Sequence, residues 1–165
     1  MARKLLGVLI GTAGVYHVAS ELASKGFHAA VTYGNAPTVD ILVGRLDGTA
    51  MLSLQVKTSH WALRTRGRGN AKSPHHYEWD VGQKSATLHR PDLFFAFVDL
   101  KSGSNQKPDV FIVPSKFIFD YFDNPYFKSG KRRRWRWHPS IKDVERFKNN
   151  WDVLDSFLIG KAERH

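Results

Sequence analysis

The chain predicts a mixed α/β fold, a β-sheet with helices against it, on three observations. A helix-spaced apolar stripe comes first, three short alternating runs follow it directly, and two unbroken apolar runs come later, all separated by turn-forming residues. At 165 residues the chain is long enough for one core and too short for two typical domains, so a single domain over residues 1–165 is expected.

Val15, Val18, Ala19 and Leu22 share one helical face and Gly26 supplies a stop, which places an amphipathic helix at residues 10–25. Strand-like runs occupy residues 27–33, 39–45 and 50–58, divided by Gly34-Asn35-Ala36-Pro37 and by Asp47-Gly48. Residues 59–74 lack apolar periodicity and set Arg64, Arg66, Arg68 and Lys72 among glycines, the pattern of a basic loop. The runs 93–100 and 110–113 are expected as buried strands. A short helix at 116–122, a twisted strand or extended arm at 131–137 and one or two closing helices at 141–157 complete the order. No internal repeat or linker interrupts it.

The formal net charge of +10 favours a polyanionic partner, nucleic acid before an anionic membrane surface. The absence of cysteine excludes disulfides, thiolate metal sites and a cysteine nucleophile, and fits a reducing, cytoplasmic setting. Residues 5–18 are apolar but broken by Gly7, Gly11, Thr12, Gly14 and His17, well short of the roughly 20 apolar residues of a membrane helix. Their pattern continues through Leu22 at helical spacing, so the segment belongs to the folded protein rather than to a signal peptide, and no membrane partner is expected. There is no zinc spacing, P-loop or nucleophile elbow. The adjacent His75 and His76 point apart in extended chain, against a joint metal site.

The chemistry concentrates on one hairpin. Asp47-Gly48 between alternating runs predicts a tight type I′ turn, with positive φ at both residues. Pairing outward from it sets 45 against 50, 43 against 52, 41 against 54, and then Asp40 against Gln55. Opposed residues point to one side of the sheet, and Lys57 joins that side by the period of two. Ile41, Val43, Leu52, Leu54 and Val56 form the other, apolar face, and burying it holds the register. A carboxylate beside an amide oxygen and a backbone carbonyl supplies hard oxygen ligands for Mg²⁺, with a lysine near enough to polarise water or stabilise charge on a phosphoryl group. An ordinary Asp40–Lys57 cross-strand ion pair with Gln55 beside it fits the same spacing.

Residues 14–22, 34–43 and 54–59, with Asp40, Gln55 and Lys57 among them, resemble the PD-(D/E)XK nuclease superfamily, the restriction-endonuclease-like fold with an αβββαβ core. The resemblance implies that Asp40 is a metal ligand, that Gln55 occupies the place of the usual second acid and that Lys57 is the motif lysine. Gln there is similar to the Mrr-like branch, and it removes one negative charge from the site. The Val56 carbonyl completes the ligands of Mg²⁺, for which Mn²⁺ substitutes. Where the superfamily's first helix carries a glutamate this chain has Val15, and Glu21, one turn after His17, is the replacement. His17 itself fits a structural or rim role better than that of a base. The implied activity is hydrolysis of DNA, and pairing into a homodimer follows by analogy.

Two basic segments are candidates for gripping the nucleic acid. One is the loop with Arg64, Arg66 and Arg68; the other is Lys131, Arg132, Arg134 and Arg136, interleaved with Trp135 and Trp137. The tryptophans suit base stacking but, as large aromatics, more readily anchor the strand to the core. A non-catalytic nucleic-acid-binding protein with the same fold is the alternative, and a protein-interaction module a third reading.

Overall fold

The computed structural model describes residues 6–33, 38–129 and 134–163. Helix α1 (Gly7–Ser24) begins a turn earlier than expected and buries Gly14, Val18 and Leu22. It stops at Gly26, whose φ of +83° suits a residue without Cβ; Phe27 N–H reaches back to the Leu22 carbonyl and Gly26 N–H to that of Ala23, closing a Schellman-type cap.

Three strands follow: β1 (His28–Val31), β2 (Ile41–Gly44) and β3 (Met51–Ser59). The segment expected to be a basic loop is instead a hairpin of β4 (Leu63–Arg66) and β5 (Ser73–Tyr77), with a single 3₁₀ turn (Gly69–Ala71) at its tip. The polar, glycine-rich composition hid it, because only the base of the ribbon, Leu63 and Tyr77, reaches the core and the exposed remainder needs no apolar face. Next come β6 (Trp79–Asp80) and the four-residue α2 (Gln83–Ala86), neither of which the periodicity revealed, then β7 (Leu93–Asp99) and β8 (Asp109–Pro114). Helix α3 (Ser115–Phe122) falls where expected, followed by α4 (Pro125–Lys128) capped by the Asn124 side chain, β9 (Arg136–Trp137), α5 (Ile141–Val144) and α6 (Asp152–Ala162).

The central sheet runs β1-β2-β3-β7-β8, with β3 and β7 parallel and every other neighbour antiparallel. On one face Val18 and Leu22 of α1 and Leu154 and Leu158 of α6 cover Ile41, Val43, Leu52, Leu54, Phe94 and Ile112. On the other, Phe95, Phe97, Phe111 and Val113 pack under Trp79, Ile118 and Trp137. Strands β7 and β8 are apolar on both faces because both are covered. The tryptophan of β9 anchors rather than stacks outward: Trp137 is 1% exposed and its ring lies 4.4 Å from that of Phe97.

The hairpin register is as predicted, Ile41 opposite Leu54 and Val43 opposite Leu52, but the turn is not type I′. Gly48 N–H bonds to the Arg45 carbonyl and Gly48 has φ +72°, whereas Asp47 is not among the positive-φ residues and uses its carboxylate to accept from Thr49 N–H and Oγ1. The chain makes a wider loop centred on the same point, so the pairing sum, and therefore the register, is unchanged.

Candidate active site

Strand β2 begins at Ile41, and Asp40, just before it, meets the edge of β3 by another route. Its N–H donates to the Leu54 carbonyl at 3.0 Å, and its Oδ2 accepts from Val56 N–H at 2.7 Å. Asp40 thus spans the backbone groups on either side of Gln55 rather than continuing the regular ladder. In an extended strand the N–H and C=O of one residue share an edge, so the Val56 carbonyl faces the Asp40 side too.

This segment is held under strain. Thr38, a β-branched residue, has φ +75°, and the Thr32 hydroxyl donates to the Val39 carbonyl at 2.6 Å. A cleft of about 470 Å³ opens beside Asp40 and Val56, bordered by Thr12, Val15 and Tyr16 of α1 and by Thr32.

Gln55 is 8% exposed and sits on the face that carries Phe95 and Phe97, and its Oε1 has no hydrogen-bond partner among the described residues. A buried amide oxygen without a donor costs on the order of 1–3 kcal/mol. Lys57, two residues on, is half-buried on the same face. Burial lowers its ammonium below the usual lysine value, and the carboxylates of Asp40 and Asp80 oppose that shift. Asp80 is the group sequence reasoning missed. It lies on β6, which docks beside β3 only through the tertiary fold, and nothing in its local pattern marks it.

The structure therefore binds Asp40 to Val56 N–H and sets Lys57 within electrostatic reach of Asp40 and Asp80, while Gln55 and Lys57, on the Phe95 and Phe97 face, do not line the cleft that Asp40 borders with α1. It does not bring Glu21 to them. Glu21 faces Lys25 at 3.5 Å and borders a different groove with His17, Lys107 and Asp109, while the α1 residues bordering the Asp40 cleft, Val15 included, carry no acid.

Of the basic residues, Arg66 and Arg68 stand exposed on and beyond β4. Arg64 and Arg136 converge instead on Glu78 Oε1, at 3.4 and 2.8 Å. Arg134 is exposed, and Lys131 and Arg132 lie outside the described residues.

The five-stranded mixed sheet flanked by helices defines a mixed α/β fold. No protein-family model and no curated protein matches the sequence. Among solved structures the chain is similar to a bacterial homing endonuclease, I-Ssp6803I, with a TM-score of 0.58 at 11% identity, covering 98% of this chain and 97% of that one. Identity that low makes this a likeness of fold. No helix among the described residues is long and apolar enough to cross a membrane.

Proposed function

We propose that the protein is a Mg²⁺-dependent deoxyribonuclease of the PD-(D/E)XK type, hydrolysing phosphodiester bonds of DNA. The observation that carries this reading is the buried Gln55 Oε1, without a hydrogen-bond partner among the described residues, on the residue between the two whose backbone groups Asp40 binds and two before Lys57. An apolar residue would fill that place at less cost, so an oxygen kept there suits a cation. Asp40, Gln55 and the Val56 carbonyl form a hard oxygen set, and Mg²⁺, with Mn²⁺ as substitute, is the ion it suits. When bound, such an ion supplies Lewis acidity and positive charge at the scissile phosphate.

The protein's own groups do the remainder. Lys57, with a lowered proton affinity, orients an attacking water or takes its proton and stabilises charge on the phosphoryl oxygens. Asp40 fixes the end of the site through Val56 N–H, and the charges of Asp40 and Asp80 favour the protonated form of Lys57 against its burial. Exposed Arg66 and Arg68 grip the phosphate backbone.

The test is incubation of purified protein with supercoiled, linear and branched DNA in Mg²⁺ or Mn²⁺, beside Lys57→Ala and Asp40→Ala. Wild type is expected to cut at least one substrate and each variant to lose about 10²-fold or more. Intact DNA throughout, with all three proteins binding it, refutes hydrolysis and leaves a DNA-binding protein.

A further inference from the structure

We propose that His76, Glu78 and His138 form a second metal site, for a divalent transition-metal ion of the zinc class, distinct from the Asp40 cleft. Adjacent residues in extended chain are expected to point apart, but the His75 and His76 rings meet, and His76 also joins Glu78 and His138. His76 lies on β5, Glu78 in the link to β6 and His138 just past β9, and one ligand atom from each comes within 4.8 Å of the other two. All three residues are half-buried. The backbone beneath them is fixed without any ion: Tyr77 N–H donates to the Pro139 carbonyl at 3.1 Å, Trp79 pairs with Trp137, and His76 bridges to Ser140.

The geometry needs little adjustment. Bonds of about 2.0–2.1 Å put two donors of one tetrahedral ion about 3.4 Å apart, so side-chain shifts of about 1 Å close the set. The His76 and His138 rings already stand 5.7 Å apart between centroids. The carboxylate is divided between two jobs. Glu78 Oε1 receives Arg136 and Arg64, while Oε2 faces His138 Nε2 at 3.4 Å. The two guanidiniums thereby orient the carboxylate as outer partners orient metal ligands. His75 Nδ1 meets His76 Nδ1 at 3.0 Å, and a proton on the His76 nitrogen of that pair leaves Nε2 with its lone pair outward.

Two imidazoles and one carboxylate prefer Zn²⁺ or Co²⁺ to Mg²⁺, the reverse of the oxygen set around Asp40. Three protein ligands leave a fourth position for water. The neighbouring guanidiniums resist added positive charge, so affinity is below that of an isolated His₂Glu set. The ion would clasp the base of the β4–β5 hairpin to the segment after β9.

The experiment uses the untagged full chain stripped by chelator and titrated with Co²⁺. Visible d–d absorption saturating at one equivalent is expected, with Zn²⁺ displacing the cobalt and raising Tm, and with about a hundredfold excess of Mg²⁺ doing neither. His76→Ala and His138→Ala should each lose the bands and the Zn²⁺-induced Tm shift while Asp40→Ala and His17→Ala keep both. Circular dichroism verifies that the variants fold, and His76→Gln and His138→Gln replace any that do not. Wild type without cobalt bands, or bands that survive loss of both histidines, overturns the site. The readout involves no DNA, so the outcome is independent of the nuclease assay.

Discussion

Lys57 carries a charge into a place that resists it. Burial is the largest cause of its lowered proton affinity, and attraction to Asp40 and Asp80 offsets only part of that. Between its lowered value and the ordinary value near 10.4, the folded protein holds less proton on Lys57 than the unfolded chain does. Stability therefore rises with pH across that window: the penalty is complete below the folded value and gone above the unfolded one. Lys57→Met removes the penalty. The variant should be at least as stable as wild type at pH 7 while losing about 10²-fold or more in cleavage. Thermal melts from pH 7 to 10.4 should show its Tm advantage shrinking as wild type sheds the buried charge. A variant much less stable than wild type at pH 7 would mean that Lys57 is a structural ion-pair partner rather than a group held at cost for function.

Helix α1 meets strand β3 through a contact that has no slack. Gly14 packs on Thr58, and a Cβ built on Gly14 would lie 2.8 Å from both Thr58 Cβ and Cγ2 and would strike Oγ1 as well. Gly14→Ala should therefore destabilise by about 1–3 kcal/mol even though alanine favours helix. Urea denaturation should show a lower midpoint with an unchanged slope. Because Thr58 follows Lys57, pushing β3 away should also reduce cleavage, and a fully stable Gly14→Ala protein would contradict the packing described. The hairpin turn shows the opposite tolerance. Its type differs from expectation, yet the register stands, since the buried row of Ile41, Val43, Leu52 and Leu54 holds the strands in step.

Across the molecule a net charge of +10 is unevenly available for binding. Arg66 and Arg68 extend from the hairpin without a carboxylate partner among the described ion pairs, whereas Arg64 and Arg136 are drawn to Glu78. Measured by fluorescence anisotropy on duplex DNA, log K should fall linearly with log salt. Arg66→Ala and Arg68→Ala should each flatten that slope by about 0.9, while Arg64→Ala should change it less. Affinity that ignores salt would remove nucleic acid as the partner.

Periodicity and turn residues were enough to read α1, the three strands of the first hairpin region, β7, β8 and α3, and they placed Asp40 across from the Gln55–Lys57 pair, because these features depend on neighbours a few residues apart and on one buried face. The β4–β5 ribbon, β6 and α2 were illegible, being short, polar or held only by distant contacts. So was the choice between Glu21 and no acid at all on α1, which turns on where the helix sits over the sheet. The position of Asp80 beside Lys57 arises only when β6 docks against β3, and the meeting of His76, Glu78 and His138 only when β6 and β9 pair across some 57 residues of chain, Trp79 on Trp137. Local pattern decides which stretches form strands and helices, since burial of one face is a short-range constraint. Which side chains share an environment is settled by packing between remote segments, and that information is spread over the whole chain rather than written at any one place in it.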